Sequence, residues 1–168
     1  MGSIDPLALF NTADALLDCV AGELEQTTAG APDWQSVVAG QTIPDEACHC
    51  GQLSVHVPQM WPSDQFPEPV ARPRGVKCDA AYTVVEYVVT VLRCAPQPDD
   101  QGRPPLAAEL TAAAQLDFSD RYAMRKGATC CFANRLWVMS QHIAIGEMGA
   151  CAGSELHCLV ALPNCEDC

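Results

Sequence analysis

From Tyr82 to Leu92 almost every side chain is β-branched or apolar. A strand with one face in water alternates apolar and polar residues, whereas an unbroken apolar run is covered on both faces. The run therefore predicts a central strand, with Val84, Val88 and Leu92 on one face and Val85, Val89 and Val91 on the other. A chain organised round such a strand needs neighbouring strands on both sides and a layer packed on the sheet.

The rest of the chain supplies both. Asp5 and Pro6 form a helix start, a capping side chain followed by proline at the first helical position. Phe10, Ala13, Leu17, Val20 and Leu24 then recur at helical spacing, predicting an amphipathic helix over residues 6–28. Ser36 to Ala39 is a short strand candidate closed by Gly40, and Leu53, Val55 and Val57 alternate with Ser54 and His56 as in a half-buried strand. A proline-rich excursion follows at 58–73, carrying Trp61 and Phe66, and long loops of this kind are usually functional or ordered by a neighbour. Pro104 and Pro105 open a second helix, Leu106 to Leu116 at least. Residues 117–134 continue it or form another, with Gly127 as a weak point. Leu136 to Ile145 and Glu155 to Leu162 read as strands joined by a glycine-punctuated loop from Gly146 to Gly153. The order α, β, β, β, α, β, β predicts one α+β domain spanning 1–168, a mostly antiparallel sheet of about four to five strands with two main helices on one face.

The chain has 168 residues, long enough to bury a core without disulfide staples. Apolar residues make up 49% and charged ones 18%, a balance that predicts surface covered by partners. The net charge of −12 is unevenly spread: residues 1–71 hold ten acids and no Lys or Arg, 72–135 hold all nine bases against seven acids, and 136–168 hold four acids and no bases. Blocks of this kind mark surfaces that meet an oppositely charged partner or repel a polyanion. They disfavour a direct grip on nucleic acid, which needs clustered Lys and Arg. No segment has the length and continuity of a membrane span, and the start at Met1 lacks the pattern of a signal peptide, so the expected setting is a reducing cytoplasm with no membrane partner.

Eleven cysteines leave at least one unpaired within the chain. Cys165 and Cys168 have the gap of a zinc knuckle but no second such pair. Cys19 and Cys158 read as small apolar residues inside a helix and on a strand. Cys48, Cys50, Cys78, Cys94, Cys130 and Cys131 are the candidates for disulfides or metal ligands, with retained thiols the other reading. His56, His142 and His157 fall inside predicted strands, where a half-exposed structural histidine is the ordinary explanation. No nucleophile elbow, phosphate loop, His-Glu-x-x-His or dinucleotide fingerprint occurs, so neither catalysis nor a cofactor is expected. A small zinc- or thiol-dependent enzyme is the alternative of another class.

Several segments, taken in order, carry a family resemblance: Ala15 to Val20, Cys50 to Leu53, Phe66 to Pro69, Cys78 before the Tyr82 strand, Arg93 to Pro105, Cys130 with Cys131, and Gly149 to Leu156. In that order and spacing the chain resembles the head-to-tail connector and tail-terminator proteins of long-tailed phages (siphoviruses) that infect actinobacteria. The pattern leaves out the terminal Cys165 to Cys168. The resemblance implies a structural virion protein, assembled in the host cytoplasm, that forms a typically hexameric ring. Such a ring caps the tail tube protein and offers a surface to the head connector or stopper protein, with DNA passing through its lumen unbound. The stopper and the adaptor of the same junction are the rival readings; an adaptor is usually dominated by helices and a stopper is usually a small barrel.

Within that reading, Trp61, Phe66, Arg72, Arg74, Lys77 and Arg103 are the candidate interface residues, and Glu147 and Glu155 the candidate acids of a channel wall. An acidic wall avoids the phosphate contacts that make DNA binding tight. Alternating charge blocks suit a head-to-tail ring, in which one side of a subunit meets the other side of its neighbour.

Overall fold

A computed structural model describes residues 6–40, 51–70, 80–148 and 150–163. The order of elements is α1 (Pro6–Leu24), β1 (Trp34–Val37), β2 (Gln52–Ser63), β3 (Tyr82–Cys94), α2 (Ala107–Cys131), β4 (Trp137–Met148) and β5 (Cys151–Pro163). The strands form one mixed sheet in the order β1-β2-β3-β5-β4, in which β1 runs parallel to β2 and every other pair is antiparallel. β3 is central, as its unbroken apolar run requires, and the architecture is the α+β sheet with two helices that the sequence predicts. Among the described residues, no helix is long and apolar enough to cross a membrane.

Both helices pack on one face. Val85, Tyr87, Val89 and Val91 of β3, with Leu53 and Val55 of β2 and Leu156, Cys158 and Val160 of β5, meet Ala13, Leu16, Val20 and Leu24 of α1 and Met124, Ala128 and Phe132 at the end of α2. Val84, Val88 and Leu92 project from the opposite face and are buried as well, so both faces of β3 lie out of water. α1 lies over β1 and β2, α2 over β5, and the two helices pack side by side.

Four boundaries differ from expectation. α1 ends at Leu24, where Thr27 turns the chain by donating its hydroxyl to Leu24 O (2.7 Å). β1 begins at Trp34, two residues before the predicted start. The excursion expected at 58–73 is strand as far as Ser63, because β2 bulges between His56 and Gln59 and pairs with β3 again from Gln59 to Ser63. The predicted Gly146–Gly153 loop is mostly ladder, since β4 runs to Met148 and β5 starts at Cys151. α2 is continuous through Gly127 to Cys131. At its start the Leu106 N–H donates to the Glu109 carboxylate (2.7 Å), which caps an end that has no Ser, Thr, Asp or Asn.

Candidate functional site

On the sheet face away from the helices, the registers line up a polar cluster. His56 of β2 stands opposite Val88, which stands opposite His157 of β5; one row along, Ser54 stands opposite Thr90 and Thr90 opposite Glu155. Glu86 holds this cluster together. One carboxylate oxygen accepts from Gln59 Nε2 (2.6 Å) and the other lies 2.7 Å from His157 Nδ1, which donates to it. Thr90 donates to Glu155 (3.4 Å), whose second oxygen is 3.7 Å from His157 Nε2.

Glu86, Thr90, Ser54 and His56 are all buried. Burial holds the His56 imidazole below its usual pKa, against the opposing pull of the Glu155 carboxylate. His56 Nδ1 is buried and has no hydrogen-bond partner, and it borders a cavity of about 340 Å³ that Glu155 and His157 also line. The cluster is a carboxylate-oriented imidazole beside a neutral one, an arrangement that can take up a proton or accept a donor group. Among the described residues, no group of three or more His, Cys, Asp and Glu is arranged to hold a metal ion.

A second polar junction ties the layers together. Arg93 at the end of β3 grips Asp120 of α2 through two hydrogen bonds, Nε to Oδ2 at 2.9 Å and Nη2 to Oδ1 at 3.0 Å. Nη2 also donates to Gly30 O in the turn after α1 (2.7 Å). Asp120 is buried, so this bidentate pair fixes where the strand, the second helix and the α1–β1 turn meet.

The residues singled out by sequence are dispersed. Trp61 is half-buried and donates its indole N–H to Pro67 O (2.8 Å), which ties the far end of β2 to the segment that follows it; the Phe66–Pro67 bond is cis. Phe66 is half-buried beside it in sequence. Arg103 is exposed but engaged: Asp99 accepts from its backbone N–H (2.9 Å) and from Nε (2.6 Å), closing a turn that places Gly102 at φ 74°. Those bonds, the backbone one first, hold the Asp99 carboxyl below its ordinary pKa. Glu147 is exposed near the end of β4. Glu155, expected on an exposed wall, instead belongs to the polar cluster, because its position on β5 shares a face with His157 and Thr90. Arg72, Arg74, Lys77, Cys48, Cys50 and Cys78 lie outside the described residues.

The cysteines divide by environment. Cys130 is an exposed thiol, and Cys131 is a half-buried thiol hydrogen-bonded to Cys19 across the helix pair. Burial, then Cys19, push the Cys131 thiol up to about 12, and burial does the same to Cys158. Neither is a thiolate near neutral pH, which is the opposite of an activated nucleophile. Cys94 is exposed and faces Cys151 across the β3–β5 ladder. Cys151, which sequence did not single out, is disulfide-bonded.

Sequence reasoning also missed the helix flanks. Phe118 and Tyr122 of α2 are 66% and 71% exposed, and Phe10 of α1 is 52% exposed. The legible signal was the placement of two aromatics four apart in an otherwise small and polar stretch. The chain matches no protein-family model and no curated protein.

Proposed function

We propose that this chain is a structural protein of the head–tail junction of a long-tailed phage, a tail terminator whose copies close into a ring on the tail tube. The ring offers its other surface to the head connector, and DNA passes through the lumen without being held. The observation that carries the reading is the exposure of Phe118 and Tyr122 on α2. Set four apart on one helix, the two rings form one contiguous exposed apolar surface, and contiguous exposed apolar surface of this kind marks contact sites.

The α+β architecture, with both helices on one face of the sheet, is compatible with that reading, since an adaptor is usually dominated by helices and a stopper is usually a small barrel. The charge supports free passage of DNA: a net −12 places no cationic field round the phosphates, so the counterion release that drives tight binding is missing. Arg103 is neutralised within its own turn by Asp99, and Lys126 by Glu23 (2.6 Å). The high thiol pKa values of Cys131 and Cys158 count against the thiol-enzyme alternative.

Electron microscopy of the purified chain, alone and mixed with tail tubes, tests the reading. Rings seated on tube ends are the expected result. A chain that binds duplex DNA tightly at physiological salt, with no ring, would overturn it.

A further inference from the structure

The two helices present unlike flanks on opposite sides of the subunit. On α2, Lys126 pairs with Glu23 and Gly127 abuts Val20, so that side faces α1. Phe118, Tyr122 and Arg125 recur at i, i+4 and i+7 along the outer side of α2, with Tyr122 one turn before Lys126 and Arg125 turned towards His142 of β4. All three are exposed. On α1, Cys19 and Glu23 face α2, and Phe10, Asp14 and Asp18 form an exposed stripe turned away from it. Beside that stripe runs an apolar groove of about 500 Å³ lined by Leu9, Phe10, Val37, Val57 and Met60. The sheet order agrees, because α1 covers the β1 side and α2 the β5 side.

Resting on the ring reading above, we propose that the α2 flank of one copy docks on the α1 flank of the next, with Phe118 and Tyr122 entering the apolar groove and Arg125 meeting Asp14 and Asp18. Charge selects this occupant. Residues 6–40 carry five acids and no base, so the α1 flank repels another α1 flank. A two-fold contact would set Arg125 near its own copy and leave the acids unpaired. Unlike faces on opposite sides give a heterologous contact, which closes into a ring when the rotation per subunit allows.

Helices, and not sheet edges, make the contact. β4 is an edge strand, but its register shifts between Met139 and Gln141 and again between Ile145 and Met148. Such irregularities blunt an edge against pairing with another chain. Aromatics next to an arginine are also the composition of interface positions that dominate binding energy.

The test uses the full chain. Phe118→Ser should weaken self-association at least about thirtyfold in sedimentation, with an unchanged circular dichroism spectrum because the residue is exposed. Asp14→Arg and Arg125→Asp should each weaken it about fivefold or more, and the double variant should recover most of the loss. A photo-crosslinker in place of Tyr122 should join peptides containing Phe10. Crosslinks from Tyr122 to α2 of another copy, or a Phe118→Ser ring as stable as the parent, would overturn this interface and leave the ring reading standing. A parent chain that stays monomeric at every concentration and forms no ring on tail tubes would overturn both.

Discussion

Gly127 of α2 touches the backbone of α1: a Cβ at Gly127 would lie 2.8 Å from Val20 Cα and 2.9 Å from Cys19 O. Both obstacles are backbone atoms, so no side chain can rotate away. Gly127→Ala gains helix propensity of about 0.5–1 kcal/mol but must push two packed helices apart, at about 1–3 kcal/mol. The expected outcome is a net loss of about 1 kcal/mol in urea unfolding, with a larger loss for Gly127→Val. A Gly127→Ala protein more stable than the parent would show that the helix pair has slack.

The Arg93–Asp120 pair is expected to be among the costliest to break. Asp120→Ala removes both carboxylate hydrogen bonds and leaves the guanidinium with only Gly30 O among the three bonds described. Loss of one partner of such a buried pair costs about 3–5 kcal/mol. Replacing both residues by leucine should cost less than the sum of the single changes. Equal and additive losses would mean that the two groups act independently.

These two junctions show what was legible in the chain and what was not. The central strand and α1 could be read because their signals are local: an unbroken apolar run in one, a 3.6-residue spacing in the other. Pro58 and Pro62 suggested a loop, since proline cannot donate to a ladder. They sit in β2 because β1 pairs only with Gln52–Val55, so the far half of β2 lies at an edge, and Pro58 falls in the bulge. Gly146 suggested a turn and belongs to the irregular end of an edge strand. Gly127 suggested a weak point in a helix and is a contact with another helix. The polar cluster was out of reach, because Glu86 and His157 are 71 positions apart and meet only through the β3–β5 register. The local trace of it was a carboxylate interrupting an apolar central strand.

Glu86 accepts from the exposed Gln59 and the half-buried His157, so Glu86→Ala removes the partner of one half-buried imidazole, while water can replace it at Gln59. A loss of about 1–2 kcal/mol is expected, nearly all of it from the half-buried His157. Glu86→Gln should recover part of it, since an amide oxygen still accepts. Thermal unfolding of the two variants checks this, and an unchanged midpoint for Glu86→Ala would show that water replaces the carboxylate.

Stability should fall on mild acidification. Burial lowers the pKa of His56, which faces Glu155, His157 and Glu86, and of His142, which faces Arg121 and Arg125 of α2 and feels the charge of His157 across the sheet. A histidine with a lowered folded pKa is neutral in the folded state, while the unfolded chain takes its proton near 6.5. Their stabilising contribution is therefore complete above that pH and is lost as pH drops from it towards the folded values. Urea midpoints from pH 8 to 5 should decline below about 6.5, and His56→Gln should flatten the decline. A midpoint that rises over that range would contradict the assignment.

The mass of the purified chain by light scattering, followed over a concentration series, bears most directly on the ring. A head-to-tail assembly predicts a plateau at about six times the 17.9 kDa chain, with a closed ring and an open lumen in the same sample by electron microscopy. A mass that stays at 17.9 kDa at every concentration, with or without tail tubes present, would contradict the account.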